Sequence, residues 1–187
     1  TDEMRVRFQV MFGLWGQASA AADYEAAESV SRECILLGEA AGDPAYLLEA
    51  HRMYGAISFW KGDLGEAREH LQQAIALYDP ERHRSDASMY GYDPQAICLG
   101  YTSTTMLLLG YPDQAQKASE QSLSHQSAAD NVATRFGVLA NAAQLSVLGH
   151  NKTAAQSYAE RLITESEAYG YPAHTAWARL YKEWAEI

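Results

Sequence analysis

The chain has 187 residues, room for one ordinary domain with a sizeable core, and it carries 32 Ala and 18 Leu against 6 Val and 6 Ile, a balance that favours helix over strand. Fourteen basic against 24 acidic side chains leave a net charge of −10 with His neutral, which repels phosphate and argues against nucleic acid or an anionic membrane as a partner of this segment. The longest apolar run falls far short of the roughly 20 residues of a membrane span, and Cys34 and Cys98 make neither a metal motif nor a disulfide framework, which fits a reducing, cytoplasmic location.

The first predicted helix, 2–15, lies in TDEMRVRFQVMFGLWG, a segment without the layout of a signal peptide. The chain starts at Thr1 rather than Met, and its last segment, AHTAWARLYKEWAEI, stops inside a helical pattern, so the sequence reads as one domain, 1–187, excised from a longer protein. Further helices are expected at 23–41, 44–61, 64–78, 93–109, 112–127, 131–148, 151–169 and 172–187. Their boundaries are set by a stopping Gly followed by a starting Pro, as in Gly42-Asp43-Pro44, Tyr90-Gly91-Tyr92-Asp93-Pro94 and Tyr169-Gly170-Tyr171-Pro172. The longest irregular stretch is 79–92. In 64–78 the residues Leu64, Ala67, Leu71, Ala74 and Leu77 share one stripe, and in 151–169 Ala155, Tyr158, Ala159, Leu162 and Ile163 do the same. Segments 96–109 and 136–148 are apolar or small almost all round, the mark of helices covered on both sides.

Three segments share a spacing. A Gly ends one helix and an Ala follows five residues later in the next: Gly62/Ala67, Gly110/Ala115 and Gly149/Ala154, with a looser version at Gly16/Ala27. The Gly is expected to supply the left-handed residue that closes the first helix, and the Ala to let the second approach closely.

That pattern resembles the tetratricopeptide repeat. The family's register implies further small-residue positions at Gly55 and Ala74 in the first unit, Ser103 and Ser122 in the second, and Ala142 and Arg161 in the third, where Arg161 departs from the family's rule. The resemblance implies an all-α, right-handed superhelix of about nine antiparallel helices in four and a half pairs. The units are longer than the family's, and Ser58, Met106 and Leu145 stand where it usually has an aromatic. The run from Gly91-Tyr92-Asp93-Pro94 to Leu109-Gly110-Tyr111-Pro112-Asp113-Gln114-Ala115, with the later YGYPAHTAWARL, is similar to the C-terminal helical region of large bacterial signalling ATPases. That group includes ATPases associated with class III adenylate cyclases and LuxR-type regulators related to the maltotriose-responsive activator. Over roughly 20–187 this likeness implies a cytoplasmic sensor or scaffold region.

No catalytic or metal-binding motif is present: Gly149-His150-Asn151-Lys152-Thr153 fails the phosphate-loop pattern, and the six histidines never pair at i, i+4 on one helix. Cys34 and Cys98 fall in apolar helical patterns as structural thiols. The sequence therefore points to a non-enzymatic module with no cofactor. Its partner would be a protein or peptide, another domain of the same chain, a small ligand, or a second copy in a homodimer. In a solenoid the first helix of each pair lines the concave side, which gives Glu49, Arg52, Phe59, Trp60, Tyr101, Thr104 and Phe136 as candidate binding residues, with His174 and Trp177 similarly placed on the last helix. Phe59, Trp60, Tyr101 and Phe136 fit either a core between repeats or a groove. Arg52 needs a partner, which is either Glu49 or an anionic ligand. Arg82, His83 and Arg84 form a local basic spot, either solvated charge or a docking point.

Overall fold

The computed structural model describes residues 2–83, 89–128 and 131–187, and these form ten α-helices and no strand. The protein is all-α, and each long helix packs against a neighbour in sequence. The chain divides into two compact units, 1–85 and 86–187. The first holds α1 (Asp2–Ala20), α2 (Tyr24–Ala41), α3 (Pro44–Lys61), α4 (Leu64–Leu77) and the single turn α5 (Pro80–His83). The second holds α6 (Pro94–Leu108), α7 (Pro112–Ala128), α8 (Val132–Leu148), α9 (Lys152–Tyr169) and α10 (Pro172–Glu186).

The helix ends are written in side-chain chemistry. Asp23, Asp43, Asp93, Asn131 and Asn151 each accept a hydrogen bond from a backbone N–H in the first turn of the helix they open, at 2.7–3.2 Å. Pro44, Pro94 and Pro172 stand at the first turn, where no N–H is missed.

Two sequence expectations about chain reversal change. Helix α1 runs on through Gly16 to Ala20, five residues past the predicted stop, and the left-handed residue after it is Ala22, φ 57°. Likewise Gly149 has φ −84°, and His150 takes the left-handed position at φ 55°. The repeat is therefore keyed to the left-handed residue rather than to Gly: Ala22, Gly62, Gly110 and His150. Five residues beyond each comes a fully buried Ala, at 27, 67, 115 and 155, and seven further comes Cys34, Ala74, Ser122 or Leu162, all buried. With the last unit shifted by one residue, Arg161 is exposed and no longer interrupts the pattern. The final pair then shares the buried positions of the others but places the large Leu162 where they have Cys34, Ala74 and Ser122.

Close approach between neighbouring helices explains the small residues. A Cβ on Gly55 of α3 would come within 2.8 Å of Leu71 in α4, and one on Gly100 of α6 within 2.4 Å of the Asn141 amide in α8. The second unit's cores are Phe136, Leu139, Leu162 and Ala178 on one side and Ala96, Ile97 and Val138 on the other. Helix α6 is buried almost throughout, and most of its hydroxyls are satisfied locally, the buried Thr102 hydroxyl being left without a partner among the described residues. Ser103 and Thr105 donate to the carbonyls of Gly100 and Tyr101 at 2.7 and 2.8 Å, while Ser122 of α7 donates across to the Ala96 carbonyl at 2.7 Å. No helix among the described residues is long and apolar enough to cross a membrane.

Candidate functional site

In the first unit, α3 is buried over nearly its whole second half because α2 and α4 pack on it and α1 reaches it from α2. That places Glu49 and Arg52 inside. Arg52 Nε donates to Glu49 Oε2 at 2.7 Å, and its guanidinium lies 5.5 and 5.6 Å from the ring centres of Phe12 and Trp15 of α1. Glu49 is thus a partner of Arg52 in the structure, and α1 lies over the cation. Phe59 is buried edge-on to Trp60 at 5.3 Å, with Trp60 half-buried. His83, expected in an exposed basic spot, is buried instead: its Nδ1 accepts from the Asp79 N–H at 2.8 Å, beside the Tyr78 ring. Arg82 is exposed, and Arg84 lies outside the described residues.

The first unit also holds a polar network assembled from three helices, none of which carries it alone. Tyr54 of α3 accepts from Arg32 Nη2 of α2 at 3.0 Å and has the carboxylates of Glu28 and Glu66 at 3.3 Å to receive its proton. Lys61 is paired with Glu28 and, at 3.2 Å, with Glu25. The Lys61 ammonium hydrogen-bonded to Glu28 holds that carboxyl below the usual range and is itself held above its own. Of these, Glu28, Arg32, Lys61 and Glu66 line an open recess of about 450 Å³ together with Asp63, Leu64 and Gly65. Tyr54 also stacks on His70 of α4 at 4.1 Å, and His70 Nδ1 meets His51 Nδ1 of α3 at 2.8 Å. One imidazole must donate and the other accept, so the contact cannot survive protonation of both rings. Burial pushes His51 down to about 4 and lowers His70 as well. A scan for i, i+4 pairs sees only one helix; counting outward in both directions from the Gly62 turn brings 51 and 70 within one helical turn of each other. Among the described residues no three His, Cys, Asp or Glu side chains gather to hold a metal.

In the second unit, Phe136 and His174 come together. Phe136 is fully buried, and around it stand His174 at 5.5 Å, Tyr171 at 5.1 Å and Tyr169 at 6.2 Å, with Tyr171 also 5.8 Å from His174. Burial holds His174 below its ordinary pKa. Arg135 lies over the Tyr169 ring at 5.8 Å and donates to Glu165 at 2.9 Å. Tyr169 and Tyr171 are 56% and 40% exposed, so a solvent-facing aromatic patch rests on a buried aromatic base. The sequence marked these tyrosines only as punctuation between helices. Trp177, one turn beyond His174, is 47% exposed. Tyr101 is half-buried against Ala96, Ile97 and Val138. Thr104 is fully buried, its hydroxyl shared between the carbonyls of Gly100 and Tyr101 at 3.3 Å. Within each unit, the structure therefore joins Glu49 with Arg52, Phe59 with Trp60, and Phe136 with His174.

Cys34 and Cys98 are buried and joined in no disulfide, and burial pushes the Cys34 thiol up to about 12. No protein-family model matches the chain, and no curated protein matches it in sequence.

Proposed function

We propose that the chain is a non-enzymatic, tetratricopeptide-like binding or sensor module of a bacterial signalling or transcription-regulatory protein, working in the cytoplasm. Stacked helical pairs, keyed by a left-handed residue and a buried Ala, support the repeat reading, with a right-handed superhelix as its expected extension. The observation that carries the binding role is the exposed pair Tyr169 and Tyr171 over buried Phe136, flanked by His174 and Arg135. Aromatic side chains next to Arg give a large contact area at small entropic cost, which is the usual anchor chemistry for a peptide or a small ligand. Capture there would favour whichever arrangement of the parent protein leaves the patch open.

A thermal-shift screen against sugars, nucleotides and acidic peptides tests this reading. At least one probe class should raise the melting temperature of the wild type, and Tyr171→Ala and Tyr169→Ala should abolish that rise. If no probe shifts the wild type, or both variants respond as it does, the patch is not a binding site.

A further inference from the structure

The first and last helices each expose an apolar stripe. On α1, Val6, Val10 and Leu14 follow at i, i+4, i+8, each more than half exposed, while Phe8 and Met11 face inward. On α10, Trp177 and Leu180, 47% and 65% exposed, lie on one stripe, while Thr175 and Ala178 face inward. In a chain of net charge −10 these two helices are electrically neutral: α1 holds Asp2, Glu3, Arg5 and Arg7, and α10 holds Arg179, Lys182, Glu183 and Glu186. A neutral face lets two copies of an acidic chain meet with less repulsion than an acidic one would.

The two stripes are complementary in side-chain size and in charge. Laid antiparallel with Leu180 opposite Val10, the spacing puts Trp177 opposite Gly13, around which a Cβ would meet nothing within 4 Å. The same register puts Glu183 opposite Arg7, both exposed. A large ring thus meets an open glycine, and an acid meets a base. An α10–α10 pairing would instead set bulky Trp177 against the partner's equivalent face. From the exposed stripes of α1 and α10, their neutrality and this register, we propose that the protein associates with a second copy of itself head to tail, the α10 face of one copy on the α1 face of the next. This contact is independent of the Tyr169–Tyr171 reading and is read by mass rather than by ligand binding. Because the two faces differ, each copy offers one face of each kind, and the association either closes into a ring of two or more copies or builds chains as concentration rises.

The test is sedimentation velocity on the whole chain over a concentration series. The wild type should exceed 20.6 kDa progressively. Val10→Glu and Leu180→Glu should each stay at 20.6 kDa, since each destroys one of the two faces, and an equimolar mixture should stop at twice that mass because one intact face of each kind remains. Both substitutions fall on side chains more than half exposed, so far-UV circular dichroism should match the wild type. Arg7→Glu should weaken association of the order of tenfold, and adding Glu183→Arg should restore it. A wild type that remains at 20.6 kDa throughout overturns the proposal; so does a single variant that still associates, or a mixture that does not.

Discussion

Acidification should loosen the α3–α4 hairpin through His51 and His70. The Nδ1 atoms sit 2.8 Å apart, so the contact accepts one added proton and resists a second, which would place two imidazolium charges face to face. Tyr54 covers His70 from α3, Glu66 and Glu69 lie nearby on α4, and Arg32 approaches from α2. The two carboxylates ease protonation of His70, and the Arg opposes it. Burial dominates and lowers both histidines from 6.5, His51 to about 4. A histidine whose folded pKa is depressed takes up protons more readily when unfolded. Its contribution to stability is complete above pH ~6.5 and is lost as pH falls from there toward about 4. A shift of that size at about 1.4 kcal/mol per unit amounts to ~3.4 kcal/mol when fully developed. His51 is only partly buried, so solvent screening reduces this to about 1–2 kcal/mol, of which about 1 kcal/mol is lost by pH ~5. Urea unfolding of the wild type and of the His51→Gln/His70→Gln double variant at stepped pH isolates the pair, because the other histidines are common to both proteins. The wild type should lose about 1 kcal/mol more than the double variant between pH ~7 and ~5. Parallel pH profiles for the two proteins would refute the reasoning.

Three other perturbations test the packing. Arg52→Ala leaves Glu49 as a buried charge and should destabilise by about 3–5 kcal/mol, whereas Glu49→Leu/Arg52→Met should recover most of that loss in chemical unfolding. Gly100→Ala drives a Cβ into the Asn141 amide and should cost about 1–3 kcal/mol, read as a lowered urea midpoint. Ala22→Gly removes the strain of φ 57° at an exposed site and should stabilise by about 0.5–1 kcal/mol; a loss of stability there would contradict the left-handed assignment.

Much of the fold is local and therefore legible in the residues themselves. The Asp and Asn caps, the Pro residues at helix starts and Gly42, Gly62 and Gly170 at helix ends act within a single turn, so eight of the predicted helices match observed ones to within a residue or two. Gly16 misled because a Gly inside a helix costs only about 1 kcal/mol, which neighbouring Ala and the packing of Phe8 and Met11 outweigh. Gly149 misled because the left-handed conformation fell to the next residue, His150, and nothing in the sequence marks that exchange.

The candidate sites were less legible. Glu49, Arg52 and Thr104 were placed by the expected face of a solenoid, yet α3 and α6 are covered on several sides, and these residues end up inside. Tyr54, His51 and His70 became a network only when three helices met, and Tyr169 and Tyr171 became a patch only when Phe136 arrived beneath them from α8. Composition and capping chemistry act over a few bonds, so the string of amino acids alone determines that this chain is helical and, to a close approximation, where its helices start and stop. Which charges are buried, which imidazoles touch and which aromatics face water depend on contacts between residues far apart in the chain, and only the packed tertiary structure decides those.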